Sequence, residues 1–319
     1  MTPLLLVITG PTAVGKTDVA LHIAHAIPSE IINADVGQLY TPLTIGTAKP
    51  DWKNDPVAHH LFDSISTPAN FSVAEFRKRV LELSTQILAR GRLPIIVGGS
   101  AFYIQSLFFP LKVHDQQGIS EKNFSWDDLY AIDPERAKKI HKNDTYRINR
   151  AMNLWLQTGM APSSLSPDFQ PPMPFYYVML AREKDDLYCR IDQRVVQMID
   201  QGWVAEVESL RSTPWESFLK TKKIIGYDII LDYLNHGTAE SKRSEMIALI
   251  QKKTRHYAKK QITFFKMLEK KIEEGIAQKR DSSASLKVGM DIANLTLVNV
   301  DLYIKQLLKM LSFHVGILR

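Results

Sequence analysis

The 319-residue chain is 45% hydrophobic and 23% charged, the balance of a folded globular protein and not of a disordered or disulfide-framed one, and its length suits one large α/β unit with a smaller appendage. Lys and Arg number 40 against 34 Asp and Glu, and the formal charge of +6 suits a polyanionic partner without requiring one. The single cysteine, Cys189, excludes an internal disulfide, a thiolate zinc cluster and a CxxC pair and predicts a cytoplasmic protein, while no run approaches the ~18 apolar residues of a membrane span.

Taken in chain order, residues 4–9 (LLLVIT) predict a fully buried strand, joined through a glycine loop to a helix over 17–26. A second strand over 31–34 ends at Asp35, an amphipathic helix spans 72–89, and a third strand covers 93–97. Strands alternating with helices imply a parallel sheet covered on both faces. Over 113–172, polar helix-periodic sequence with Trp126 and Trp155 interrupts this rhythm, which predicts a helical insertion between a first core part (1–112) and a second (173–275). The core resumes with a strand over 175–180 and helices over 186–201 and 242–273, the first stopped at Gly202. Residues 276–319 read as a linker and a terminal helix, the helix lying at 301–312.

Residues 10–17, GPTAVGKT, fit G-x-x-x-x-G-K-[ST] between a buried strand and a helix, the context this motif requires. The expected fold is therefore α/β, a P-loop NTPase-like parallel sheet flanked by helices. Gly10, Thr12, Ala13, Val14 and Gly15 would present backbone N–H groups to a diphosphate or triphosphate, Lys16 adds a point charge, and Thr17 is placed to bind Mg²⁺. The loop alone leaves the ligand open, and a P-loop kinase of a nucleoside or small metabolite is one reading. However, the strand at 93–97 runs into Gly98-Gly99-Ser100 where an NTP hydrolase would place an aspartate for Mg²⁺ and water. Asp35 closes the neighbouring strand, at the sheet edge where ligands bind; position alone reads it equally as a proton acceptor or as a turn-capping aspartate. The adjacent His59 and His60 diverge in direction and lack a third ligand at suitable spacing, so they read as structural.

Several stretches together resemble the tRNA dimethylallyltransferase (tRNA isopentenyltransferase) family: GPTAVGKT (10–17), ADVGQLY (34–40), IGTAKP (45–50), HHLFD (59–63), VGGSAFYI (97–104), NDTYRINRA (143–151), RIDQRVVQMIDQGWVAEV (190–207), IIGYD (224–228) and TRHYAKKQITFF (254–265). They follow one another in the family's order over residues 4–266. The resemblance implies that the loop holds dimethylallyl diphosphate with Mg²⁺, and that the acceptor is the adenosine 3′ of the anticodon, extruded from its stack into the protein. It implies Asp35 as general base, Ser100 beside the reacting amine, and Arg190 or Arg194 on the leaving diphosphate, although their spacing alone reads as a solvated ion-pair face. It further implies contacts to tRNA from Asp35, Val36, Gly37, Gln38, Ser100, Tyr146, Arg147, Arg150, Lys223, Tyr227, Arg255 and Lys259, in a monomer.

The chain departs from that pattern in places. GGSAFY (98–103) stands where GGTGLY is usual, Tyr146 replaces a glutamine, Asp228 takes a position that is commonly basic, and residues 113–128 look short of one arginine-bearing motif. A transferase acting on free adenine nucleotides and a noncatalytic RNA-binding relative are two further readings. The insertion and the basic strip around Lys252, Arg255 and Lys259 speak against the former, and intact Lys16, Thr17 and Asp35 against the latter.

Overall fold

The computed structural model describes residues 3–110, 123–165, 167–236, 240–280, 288–296 and 300–315. Among them the chain forms β1 (Leu5–Thr9), α1 (Lys16–Ala26), β2 (Ser29–Asn33), β3 (His59–His60), α2 (Val73–Ala89), β4 (Leu93–Gly98) and α3 (Ala101–Phe108). Three short helices follow, α4 (Trp126–Ile132), α5 (Pro134–Lys138) and α6 (Thr145–Thr158). The remainder comprises β5 (Phe175–Ala181), α7 (Lys184–Asp200), α8 (Trp203–Ser209), α9 (Pro214–Lys222), α10 (Tyr227–His236), α11 (Glu240–Arg280), β6 (Val288–Asn294) and α12 (Val300–Val315).

All strand pairings are parallel, in the order β3-β2-β4-β1-β5-β6. β1 lies in the interior of the sheet and is buried along its whole length, as its unbroken apolar run requires. Its side chains alternate between two cores. Leu6 and Ile8 pack with α1, α7 and α12, whereas Leu5 and Val7 pack with α2, α3 and α11. Ser72 caps α2 by accepting from Glu75 N at 3.0 Å, which accounts for a helix beginning where the sequence places it. The connection from β1 leads toward one edge of the sheet and that from β4 toward the other, so the loops after the adjacent strands β1 and β4 flank a topological switch point.

One expectation is corrected here. Residues 288–294, read as part of a linker, form β6, paired with β5 from Phe175↔Val288 to Ala181↔Asn294, and Tyr303, Ile304, Leu307 and Leu311 of α12 complete the core beside α1. VGMDIAN carries a glycine and an aspartate and borders only one strand, so it lacks the continuous apolar run that marks the central strands. Residues 276–280 of the expected linker continue α11 to its end at Arg280, whereas residues 281–287 and residues 113–122 of the shortened segment lie outside the described residues. Helices α4 to α6 enclose a small cluster of their own, with Leu129, Ile140, Ile148 and Met152 at its centre.

Candidate active site

The loop after β1 opens on Gly10 at φ 146°, where a Cβ would lie 2.4 Å from Leu180 O, so only glycine lets it pass β5. Ala13 (φ 63°) and Gly15 (φ 105°) adopt left-handed backbone, which turns N–H groups toward a common centre. The N–H groups of Ala13, Gly15, Lys16 and Thr17 have no acceptor among the described residues. Two amides expected to hold phosphate are committed elsewhere: Thr12 N donates to Gln261 Oε1 at 2.9 Å and Val14 N to Pro11 O at 3.4 Å. These two shape the cradle, and the four open donors line it.

Lys16 Nζ donates to Pro11 O at 2.9 Å. Burial lowers its pKa from 10.5 to about 8; Asp35 opposes that shift and Arg194 adds to it. Because the loop turns N–H groups inward, its carbonyls face outward and need donors of their own. Arg190 Nε serves Ala13 O at 3.0 Å, and Arg182 Nε serves Val14 O at 2.9 Å. Arg182 is in turn held by Asp186 at 2.8 Å, which accepts from Thr296 Oγ1 at 2.6 Å just beyond β6. Sequence reasoning missed Arg182, although an arginine one residue past a core strand, at the ligand-binding edge, was the available signal.

Across the cavity, Asp35 follows β2, and its side chain does not cap the Val36–Leu39 turn. Oδ1 instead accepts from Gly99 N at 2.7 Å, and Oδ2 receives no hydrogen bond from the described residues. That geometry removes the turn-cap reading. Ser100 Oγ accepts from Val36 N at 3.0 Å, which ties the loop after β4 to the loop after β2. Gln38 Nε2 donates to Thr47 O and Ala48 O at 3.0 and 3.2 Å, leaving Oε1 as its open atom.

Lys16, Asp35, Ser100 and Arg194 line one cavity of about 640 Å³, which also meets Lys222, Lys223, Lys253, Tyr257 and Lys260. A polar cavity of about 390 Å³ over the phosphate loop shares Lys16, Asp35 and Arg194 and adds Thr17, Asp18 and Arg190. Burial lowers the pKa of Arg194, while Asp35 and Asp18 support its charge. Thr17 Oγ1 makes no hydrogen bond among the described residues, and it shares this cavity with two carboxylates. An all-oxygen donor set fits Mg²⁺, a cation that also takes oxygens from its substrate.

Comparison with known proteins assigns the chain to a family. The family model described as IPP transferase matches residues 38–268. A tRNA dimethylallyltransferase of Thermoanaerobacter sp. (strain X514) is 37% identical over 284 residues, covering 82% of this chain and 88% of the relative. This chain belongs to the IPP transferase family. A tRNA dimethylallyltransferase of Thermotoga maritima is 34% identical over 279 residues, covering 82% of this chain and 89% of its own. Among solved structures, the tRNA isopentenylpyrophosphate transferase of Bacillus halodurans matches with a TM-score of 0.65 at 28% identity, over 99% of this chain and 97% of that one. A eukaryotic dimethylallyltransferase acting on tRNA shares the fold, with a TM-score of 0.73 at 24% identity over 92% of this chain and 75% of that one.

Three of the family stretches turn out to build the cavity wall. Glu206 accepts from Thr44 N, Ile45 N and Gly46 N at 3.0, 2.7 and 3.3 Å and from Tyr227 Oη at 2.6 Å. Tyr227, expected at the RNA surface, is 0% exposed and packs edge-on against Trp203, so that expectation is corrected: it fixes Glu206 beneath the wall. The basic strip on α11 divides around the helix. Lys253, His256, Tyr257 and Lys260 face the cavity, Arg255 bonds to Asp192 on α7, and Lys259 is exposed outside the cavity lining. Asp228 pairs with Lys253 at 3.1 Å, and Lys223 lines the cavity in left-handed backbone at the end of α9.

On α6, Asp144 caps the helix by accepting from Arg147 N at 3.0 Å, and Tyr146 is 72% exposed. Arg150 lies over the ring of Phe102 at 5.3 Å, linking the helical insertion to the residue that departs from the family pattern beside Ser100. His60 pairs with Glu30 at 2.7 Å and His59 bonds Val57 O at 2.8 Å, both structural contacts. Among the described residues no helix is long and apolar enough to cross a membrane.

Proposed function

We propose that this chain transfers a dimethylallyl group from dimethylallyl diphosphate to the exocyclic amine of the adenosine 3′-adjacent to the anticodon in tRNA. One observation carries the reading: the four loop residues with open amide donors and a strand-end carboxylate with an open oxygen line the same polar cavity of about 390 Å³. The adenine amine is a weak nucleophile because its lone pair is conjugated, so proton removal as the bond forms lowers the barrier. Asp35 Oδ2 accepts that proton while the nitrogen bonds the allylic carbon and the carbon–oxygen bond to diphosphate breaks. Charge growing on the leaving group is met by the open loop amides, Lys16, Arg190 and Arg194. Thr17, with Asp18 nearby, would hold Mg²⁺, which when bound supplies further charge neutralisation on the diphosphate. The relatives are transferases of this kind, which favours the reading over a P-loop kinase.

The direct test incubates the protein with labelled dimethylallyl diphosphate, Mg²⁺ and unmodified tRNA carrying adenosine beside the anticodon. Label is expected at that base, with one diphosphate released per transfer; brisk ATP hydrolysis with no labelling would overturn the reading.

The same reading assigns the cations at the cavity mouth to the RNA backbone. Lys260 lines the cavity and has no ion-pair partner among the described residues. Lys260→Ala is expected to weaken tRNA binding and to reduce the slope of log K against log salt by about one. Tyr227→Phe should leave the salt slope unchanged, since that side chain is fully covered and meets no phosphate. Binding titrations at several salt concentrations check the pair, and a Tyr227→Phe variant that altered the salt slope would contradict the assignment.

A further inference from the structure

We infer that Gln261 is a positioning residue that sets the spacing between the leaving-group cradle and the general base. The inference rests on the transfer reading above. Gln261 lies on α11, is 4% exposed, and spends both ends of its amide on main-chain atoms of two different site loops. Oε1 accepts from Thr12 N of the phosphate loop at 2.9 Å, and Nε2 donates to Gly99 O at 2.8 Å. Gly99 is the same residue whose N–H holds Asp35 Oδ1 at 2.7 Å. One rigid carboxamide therefore spans from the cradle to the glycine whose N–H orients the base, and an in-line displacement depends on that separation. The fit is tight, since a Cβ on Gly99 would lie 2.6 Å from Gln261 Nε2. Gln261 also follows Lys260 and stands one turn beyond Tyr257, so the helix that lines the acceptor side of the cavity carries the gauge.

Two variants separate the two ends. Gln261→Glu is nearly isosteric and keeps an acceptor for Thr12 N, but it sets an oxygen against Gly99 O. Gln261→Leu removes both bonds. Gln261→Glu is expected to lower kcat roughly 10- to 100-fold with KM for dimethylallyl diphosphate within about threefold of wild type. Gln261→Leu is expected to lower kcat to a similar extent and to raise that KM as well, with tRNA affinity unchanged within about twofold in both. Circular dichroism melts establish folding, and should the Leu variant not fold, the Glu variant decides alone. A kcat within twofold of wild type in Gln261→Glu, or a KM that rises in proportion to its loss of kcat, overturns the inference. Absence of transfer by the wild-type protein would count against the proposed function instead, so the two failures are distinguishable.

Discussion

Asp35→Asn is expected to lower the rate of dimethylallyl transfer by about 10²- to 10⁴-fold while tRNA affinity stays within a few-fold. The substitution is chosen because it preserves shape. An asparagine Oδ1 can still accept from Gly99 N, the 2.7 Å bond that orients the side chain, and its amide occupies the place of Oδ2. Only the capacity to take a proton is lost. The same variant separates catalysis from a local structural role, because asparagine caps a turn as well as aspartate does. Single-turnover transfer measured beside a tRNA binding titration reads both quantities. Wild-type rates in Asp35→Asn would sink the role of base.

Legibility followed the range over which each signal acts. The central strands β1 and β4 were readable because burial on both faces favours near-continuous apolar runs, which LLVIT and LPIIVG supply. The phosphate loop was readable because its glycines and Lys16 are adjacent in sequence and serve one purpose. Gln261 was invisible for the opposite reason: its partners lie 249 and 162 residues away, and a glutamine within a charged helix resembles any solvated one. Helical spacing identified α11 as a basic helix yet left its rotation open, and only packing against α7 and α10 decided that Lys253, Tyr257 and Lys260 face the cavity and Arg255 does not. Tyr227 was misplaced by a similar ambiguity. A stretch that borders a binding site can do so by supporting the wall from behind, and the Tyr227–Glu206 bond at 2.6 Å does this. β6 escaped because an edge strand has only one neighbour to satisfy.

Lys16→Met is expected to reduce kcat/KM for dimethylallyl diphosphate by about 10²- to 10³-fold, the range for loss of a preorganised group at a developing anion. The wild-type protein makes a sharper prediction about pH. Burial disfavours the ammonium and brings Lys16 down to about 8 despite the opposing pull of Asp35. In the free enzyme the charge is therefore present below that value and is lost as pH rises through it. A dianionic or trianionic donor binds the ammonium form, so its affinity should be level below pH 8 and fall by up to roughly tenfold per pH unit above it. The bound diphosphate supplies negative charge beside Lys16 and stabilises the ammonium, so the complex should titrate at a higher pH than the free enzyme. Donor binding measured across pH 6.5 to 9.5 is thus expected to bend near 8, while kcat at saturating donor bends later. Lys16→Arg keeps its charge throughout that range and should flatten the binding profile even where its shape costs activity. A wild-type profile with no bend between pH 7 and 9.5 would mean that the loop amides and arginines hold the diphosphate without help from the lysine charge.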